Sequence, residues 1–304
     1  MTARLTLPTA LLLTAPPLLW AANAVVGRAV ADLIPPMTLN FFRWAIAFAI
    51  LLPFSWRVLG ARSSIWPNWR RYAVLGLLGV GCYNALMYLA LRTSTPVNVT
   101  LVGASIPMWM LATGALFFQQ RVTRVQVLGA VLSMLGVMVV LSRGQWSALA
   151  QLQLVPGDFY MLLATTAWAF YSWLLFQPAG QQPKDAPEIR NDWPAFLMAQ
   201  MIFGLGWAGA LAGGEWALTQ ASITFGWPLA AALLYVAVGP ALLAYRCWGM
   251  GVQRAGPAIA GFFSNLTPLF AAVLSAAFLG ELPRPYHALA FALIAGGIVV
   301  SSRR

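Results

Sequence analysis

The sequence predicts an all-α, polytopic membrane protein whose ten transmembrane helices form two inverted five-helix repeats, with both termini cytoplasmic. Three observations support this fold class. Of the 304 residues, 61% are hydrophobic and 8% are charged, whereas soluble domains carry about 25% charged residues. The apolar runs reach or approach the ~20 residues that a helix needs to cross a ~30 Å hydrocarbon core. In addition, two parts of the chain match each other at a constant spacing.

The constant spacing between the matching parts is 161 residues. The matched pairs include Pro96 with Pro257, Pro107 with Pro268, Phe117 with Phe278, and Gly136 with Gly297. A repeat of this period, in segments too apolar for water, predicts two structural halves, residues 1–143 and 144–304. The alternative is chance similarity between apolar helices, because apolar composition alone produces some matches.

Ten apolar runs follow one another along the chain. They are approximately Pro8–Val30, Met37–Phe54, Tyr72–Leu91, Pro96–Phe118 and Val125–Leu141 in the first half, and Phe159–Phe176, Pro194–Ala212, Pro228–Val252, Pro257–Leu279 and Pro285–Ser301 in the second. The first run contains Ala22-Asn23-Ala24, which resembles a signal-peptide cleavage site. The run continues past that site, so we interpret it as a span. Because five is odd, the second half must enter the membrane in the opposite orientation.

The distribution of positive charge supports cytoplasmic termini. With that orientation, the cytoplasmic side holds Arg4, Arg57, Arg62, Arg70, Arg71, Arg121, Arg124, Lys184, Arg190, Arg254, Arg303 and Arg304, and the other side holds Arg28, Arg92, Arg143 and Arg284. The excess agrees with the positive-inside rule and places loop 177–193 in the cytoplasm. The same rule explains the net charge of +11, so we expect no nucleic-acid partner.

The ionisable residues argue against proton coupling, metal binding and catalysis. All seven Asp and Glu residues lie in loops or near the ends of runs, whereas proton-coupled transporters commonly place a carboxylate in mid-membrane. Asp158 is interpreted as a helix-start residue. A single histidine excludes a multi-histidine metal centre, and Cys82 and Cys247 lie within apolar runs as small core residues. We therefore expect no catalytic residue, no metal site and no cofactor, and the protein is not predicted to be an enzyme.

Polar and aromatic residues at mid-span are the candidates for a substrate-binding cavity. They are Trp20, Asn23, Tyr83, Asn84, Met87, Trp109, Trp168, Tyr171, Tyr245, Arg246 and Asn265. Aromatic walls with a few hydrogen-bonding groups suit an amphipathic small molecule. Ordinary packing is the alternative for any one of these aromatics, and a run that is apolar all round does not define which face points inward.

Two arginines lie inside spans, where an unpaired charge is costly. Arg43 is about two turns into the second run, and we interpret it as snorkelling or as bonding helix-end carbonyls. Arg246 is near the middle of the eighth run, where it binds either a substrate carboxylate or a structural partner. Mid-span prolines at positions 107, 240 and 268 predict kinks, and the pair Gly129 and Ser133 has the spacing of a close helix contact.

Several short motifs resemble the drug/metabolite transporter superfamily, of the EamA type. They are Leu19-Trp20-Ala21-Ala22-Asn23, the second-helix Arg43, Asn265-Leu266-Thr267-Pro268, Phe278-Leu279-Gly280-Glu281 and Gly296-Gly297. The resemblance covers essentially the whole chain and implies ten helices in two inverted repeats. Within the superfamily the chain is most similar to bacterial exporters of aromatic and other amino acids. It departs from the family pattern at Gln120, where a glutamate like Glu281 is usual.

The residues and the resemblance together predict a secondary transporter in the bacterial inner membrane. It is expected to export amino acids or similar neutral or zwitterionic metabolites by alternating access, with uniport as well supported as proton coupling. Its expected partners are a small-molecule substrate and the lipid bilayer, and it is expected to be a monomer or weak oligomer. The alternatives are transport of nucleotide sugars or other organic metabolites or drugs, which requires several converging basic groups, and a non-transporting assembly role.

Overall fold

The computed structural model describes residues 5–94, 96–145, 147, 155–178, 181–279 and 284–302, and the regular elements within them are all helical. Ten long helical units follow in order: α1 (Leu7–Ala29), α2 (Pro36–Ser55), α3 (Trp69–Thr93), α4 (Pro96–Phe117), α5 (Arg124–Leu141), α6 (Pro156–Leu175), α7 (Trp193–Leu218), α8 (Trp227–Ala255), α9 (Pro257–Leu279) and α10 (Pro285–Ser302). Each corresponds to one of the ten predicted runs, so the all-helical prediction is confirmed for the described chain.

Most of these units have the length and composition of membrane spans. In the described residues, nine helices are long and apolar enough to cross a membrane. The remaining unit, α6, has 20 residues but carries Asp158 and several Trp, Tyr, Thr and Ser residues, which lower its hydropathy. The chain is therefore a multi-pass membrane protein, whereas ten spans and the orientation of the termini remain predictions.

Helices α3 and α8 each contain a π-helical segment in the middle. In α3 the segment is Gly76–Cys82, and in α8 it is Ala237–Leu243; both have seven residues. The predicted kink at Pro240 falls inside the second segment, where the missing N–H of proline leaves an α-helical bond unmade. The segment in α3 was not predicted. It contains no proline but has three glycines, at positions 76, 79 and 81. The two segments are 161 positions apart, which is the spacing of the predicted repeat.

Helices α4 and α9 are each interrupted near the middle. Helix α4 consists of Pro96–Gly103 and Ile106–Phe117, and α9 consists of Pro257–Phe263 and Leu266–Leu279. The predicted kink residues Pro107 and Pro268 lie in the first turn of the restarted helices, where a missing N–H is tolerated. These interruptions also recur at nearly the same spacing.

Helices α5 and α10 pack closely through small residues. A Cβ added at Gly129 would lie 2.7 Å from the carbonyl oxygen of Gly297, and one at Gly136 would lie 2.9 Å from the carbonyl oxygen of Ala290. Positions 129 and 290, like 136 and 297, are 161 apart, so the two contacts are reciprocal. The predicted close contact at Gly129 and Ser133 is therefore confirmed.

Ionic and capping contacts connect the two halves at both ends of the bundle. Asp185, in the loop before α7, accepts hydrogen bonds from Arg71 Nε (2.8 Å), Arg71 Nη2 (2.9 Å) and the Tyr72 hydroxyl (2.8 Å). At the other end, Glu215 of α7 accepts bonds from the backbone N–H of Met37 (3.2 Å) and Thr38 (2.9 Å). Glu215 thus caps the first turn of α2, where backbone N–H groups lack partners within the helix.

The loop predicted for residues 177–193 is partly helical. It includes the short helix Pro187–Arg190, and α7 already begins at Trp193; residues 179 and 180 lie outside the described part. Helix α7 also extends to Leu218, six residues beyond the predicted end, so Glu215 belongs to a helix and not to a loop. Asp158 lies in the first turn of α6, as predicted, and accepts a bond from the Val155 backbone N–H (3.0 Å).

Candidate functional site

Six aromatic side chains meet at the middle of the bundle around Trp168 of α6. We call this group the aromatic cluster. The ring centroids of Tyr83, Tyr171, Trp20, Trp248 and Tyr245 lie 5.1–5.4 Å from the Trp168 centroid. Four of the helices supply these rings: α1, α3, α6 and α8. Trp168 is 1% exposed, so the cluster is closed in this conformation.

A fully buried arginine lies beside the aromatic cluster. Arg43 of α2 is 0% exposed. Its Nη1 donates to Asn84 Oδ1 (2.8 Å), the Tyr88 hydroxyl (3.1 Å) and Asn23 Oδ1 (3.4 Å). The expectation that Arg43 snorkels or bonds helix-end carbonyls is therefore wrong, because three side chains from α1 and α3 hold it in the core.

The guanidinium of Arg43 retains unused donors. Within the described chain, Nε and Nη2 of Arg43 are buried and have no hydrogen-bond acceptor, and the one ion pair found there joins Arg71 and Asp185. The guanidinium carbon lies 5.5 Å from the Trp44 ring centroid, and the Trp44 ring contacts Tyr245 at 4.9 Å. The charge is thus adjacent to the aromatic cluster and lacks a counter-ion among the described residues.

Backbone carbonyls of the two π segments also bond to the aromatic cluster. The hydroxyl of Tyr245 donates to the carbonyl oxygen of Gly79. The indole N–H of Trp20 donates to the carbonyl oxygen of Pro240 (3.3 Å). Gly79 also packs under an aromatic ring, because a Cβ there would lie 2.6 Å from the Tyr171 ring. The rings of the cluster and the irregular backbone of α3 and α8 therefore form one packed unit.

The structure brings together seven of the eleven predicted site residues. Trp20, Tyr83, Trp168, Tyr171 and Tyr245 belong to the aromatic cluster, and Asn23 and Asn84 bind Arg43. Four residues outside the predicted eleven join them: Trp248 in the aromatic cluster, Arg43 and Tyr88, which complete the polar group, and Trp44, which connects that group to the cluster. The sequence signal for Trp44 was its position next to an in-span arginine.

The other four predicted residues lie elsewhere. Met87 packs in a separate hydrophobic group with Val30 and Ile34, and Trp109 packs at the edge of the main core. Asn265 donates to Ser133 Oγ (2.8 Å) beside α5. Arg246 is exposed, and its guanidinium carbon lies 5.6 Å from the Trp193 ring centroid. Its role as a substrate ligand remains a prediction.

Cavities lie at both ends of the bundle. A cavity of about 740 Å³ near loop 177–193 is lined by Leu175, Trp193, Arg246 and Gln253, among others. At the opposite end, a cavity of about 480 Å³ is lined by Asp32, Arg92 and Glu215, among others. A smaller cavity of about 20 Å³ adjoins the 480 Å³ cavity. Arg92 lines both, and Tyr88 lines the smaller one. Tyr88 binds Arg43, so this space leads from one end toward the buried charge.

Comparison with known families matches both halves of the chain to one family model. The sequence model of the EamA-like transporter family matches residues 7–142 and again residues 155–303. A solved structure with 23% sequence identity superposes with a TM-score of 0.71, over 97% of this chain and 98% of that one. That structural similarity shows the fold.

Curated relatives of similar length include named exporters. The aromatic amino acid exporter YddG of Ancylobacter novellus is 23% identical over 94% of this chain and 93% of its own length. A probable amino-acid metabolite efflux pump of Salmonella typhimurium is 25% identical, over 93% and 90%. An uncharacterized transporter of Bacillus subtilis, YyaM, is 23% identical, over 88% and 84%.

Proposed function

This chain belongs to the EamA-like transporter family, and we propose that it exports amino acids or similar zwitterionic metabolites from the bacterial cytoplasm. It works as a secondary transporter in the inner membrane, by alternating access, with Arg43 and the aromatic cluster as its central substrate site. The names of the relatives from Ancylobacter and Salmonella favour amino acids and their metabolites as the substrate class.

The unpaired donors of Arg43 are the observation that carries this proposal. A charge removed from water costs several kcal/mol unless it is paired, yet the described partners of Arg43 are neutral. Its Nε and Nη2 lack acceptors in the described chain. A carboxylate has two oxygens that match a guanidinium fork. The α-carboxylate of an amino acid therefore supplies the partner that the site lacks.

The aromatic cluster provides the place for the rest of the substrate. Its rings lie next to Arg43 through Trp44 and Tyr245, so a carboxylate bound at Arg43 directs the substrate side chain toward them. An aromatic or large aliphatic side chain inserts between such rings with favourable edge-to-face contacts. Because Trp168 and Tyr171 are buried, the rings must separate before substrate enters.

In this proposal, alternating access results from the movement of two inverted repeats, residues 1–143 and 144–304, relative to each other. The family model matches the chain twice. The π segments, the helix interruptions and the reciprocal glycine contacts of α5 and α10 all recur at a spacing of about 161 residues. Rocking of one repeat against the other exposes the central site to each side in turn. Interrupted helices are tolerated at membrane depth where they line a cavity, which supports this assignment.

Flux in proteoliposomes containing only the purified protein tests the proposal. We expect saturable transport of radiolabelled L-phenylalanine and much slower transport of its amide, which lacks the carboxylate. Arg43→Gln should lower kcat/KM at least tenfold, because hydrogen bonds to charged groups contribute about 1.5–3 kcal/mol. The matched control is Arg57→Gln, since Arg57 also lies over a tryptophan, Trp56, at 5.9 Å, but is exposed at the bundle end.

The outcomes separate the parts of the proposal. No flux of any neutral amino acid would refute the substrate class. Normal flux by Arg43→Gln, or equal flux of phenylalanine and its amide, would refute the assignment of Arg43 as the carboxylate site.

A further inference from the structure

Gly79 and Pro240 are equivalent positions of α3 and α8, and their carbonyl oxygens both accept aromatic side-chain bonds. The two donors, however, are not equivalent. Pro240 receives the indole N–H of Trp20, from α1, whereas Gly79 receives the hydroxyl of Tyr245, from α8. If the hydrogen bonds of the two halves were equivalent, the donor to Gly79 would come from α6, the helix that corresponds to α1.

The residue of α6 that corresponds to Trp20 is Trp168. The family model begins its two matches at residues 7 and 155, and the same offset carries position 20 to position 168. Trp168 Nε1 is buried and has no hydrogen-bond partner in the described chain. The equivalent donor is therefore present and unused, while Tyr245 occupies the carbonyl that it would reach.

We propose that Trp168 and Tyr245 exchange at the Gly79 carbonyl during the transport cycle. In the conformation described here, Tyr245 holds that carbonyl and the Trp168 N–H is free. In the opposite-facing conformation, the Trp168 N–H bonds to Gly79 and Tyr245 is released. Both are positioning residues that act through the π segment of α3. This inference rests on the alternating access of the proposed function.

The geometry makes the exchange a local movement. The ring centroids of Trp168 and Tyr245 lie 5.4 Å apart. Tyr171, one turn after Trp168 in α6, packs directly on Gly79, and α6 as a whole packs against the π segment Gly76–Cys82. The Trp168 ring therefore contacts both rings that touch Gly79, and the proposed exchange is a shift of Trp168 past Tyr245.

The exchange is connected to the substrate site through Trp44. Arg43 lies over the Trp44 ring, and Trp44 contacts the Tyr245 ring at 4.9 Å. A carboxylate that binds the free donors of Arg43 therefore alters the packing of the residue that holds Gly79. The π segment is the part of α3 that we expect to respond, because π segments within α-helices are frequent at functional sites. Binding and reorientation of α3 are thus coupled by contact.

Conformational populations measured by spin labels at each end of the bundle test the exchange. Label pairs at Arg62→Cys with Lys184→Cys, and at Arg92→Cys with Gln220→Cys, report opening at the two ends in a background with Cys82→Ala and Cys247→Ala. Tyr245→Phe removes a bond of the described state, so the ratio of the opposite state to the described one should rise about fivefold. Trp168→Phe removes a bond of the opposite state, so the ratio should fall by a similar factor.

Trp173→Phe is the control variant. Trp173 also lies in α6, is buried, and donates its indole N–H to a backbone carbonyl, that of Met110 (2.8 Å), but this carbonyl is outside the π segments. Its population ratio should stay within twofold of the parent, whereas a general effect of losing a buried tryptophan would change it as much as Trp168→Phe.

Opposite signs for Tyr245→Phe and Trp168→Phe support the exchange, because a purely structural role gives no reason for them. Shifts of the same sign, no shift in either variant, or a parent protein with a single conformation under all conditions would overturn it. If the signs are as expected but no amino acid is transported, the substrate proposal fails and the exchange stands. If amino acids are transported but the signs are wrong, only the exchange fails.

Discussion

Gly79 and Pro240 occupy the same place, the fourth residue, in two seven-residue π segments of α3 and α8. Each carbonyl accepts a hydrogen bond from an aromatic side chain of the other half of the chain, Tyr245 and Trp20 respectively. The sequence reaches the same irregular geometry in two ways. In α8 a proline removes a backbone donor, and in α3 glycines lower the cost of leaving the α-helical path.

Gly79→Ala should impair both folding and transport. An added Cβ would lie 2.6 Å from the Tyr171 ring, so the ring must move, and overpacking of this kind costs about 1–3 kcal/mol. We expect a lower melting temperature in detergent and at least tenfold slower phenylalanine flux. Gly206→Ala, in α7, is the control because nothing lies within 4 Å of its added Cβ. Unchanged flux in Gly79→Ala would contradict close packing at the cluster.

Gly297→Ala should destabilise the contact between α5 and α10. Its Cβ would lie 2.7 Å from the Gly129 carbonyl oxygen, a backbone atom that cannot rotate away, whereas the neighbouring Gly296 has nothing within 4 Å. The two alanine variants therefore lie at neighbouring positions, but only the Cβ at position 297 meets α5, at Gly129 and Ser133. We expect Gly297→Ala alone to lower the melting temperature, by several degrees. Equal melting temperatures would show that the two helices separate at little cost.

Asp185→Asn should destabilise the protein by about 1–3 kcal/mol, because it leaves the Arg71 guanidinium without its bidentate acceptor. Asp185 is 7% exposed and also binds Tyr72, so water replaces these bonds only in part. Thermal unfolding in detergent measures the loss. The matched control is Glu188→Gln nearby: the Glu188 carboxylate accepts a bond from Ser64 (2.7 Å), which lowers its pKa, but it is exposed. A comparable loss in both variants would contradict this reasoning.

Transport should persist without a proton gradient. A coupled proton needs a titratable group that binds and releases it within the barrier, and in the described residues the central charge is an arginine bonded to neutral side chains. Flux down a phenylalanine gradient should therefore remain within about twofold between pH 6 and 8 and after addition of a protonophore. Flux that follows the proton gradient would exclude uniport.

Much of the helical framework could be predicted from the sequence. Hydropathy located all ten helical units, because a segment that must satisfy its own backbone groups in lipid has few structures available. Prolines at positions 107, 240 and 268 indicated three of the four irregularities. The π segment at Gly76–Cys82 was missed, because glycine is common in membrane helices for other reasons. The membrane orientation and the two-repeat division remain predictions.

The candidate site was only partly predictable. Aromatic and amide residues at mid-span were identified, and seven of them meet around Trp168 and Arg43. Met87, Trp109 and Asn265 also lie within predicted spans, but they pack away from this site. Depth follows from position in a run, whereas direction depends on how each helix is rotated against its neighbours.

By itself the sequence determined the class of protein and the order of the helical units, because these follow from hydropathy and length. Only the tertiary structure decided that Arg43 is buried among neutral partners while Arg246 is exposed at a bundle end. The physical reason is helix rotation. In helices that are apolar on every side, the sequence pattern does not favour one face, so packing against neighbouring helices selects which side chains meet.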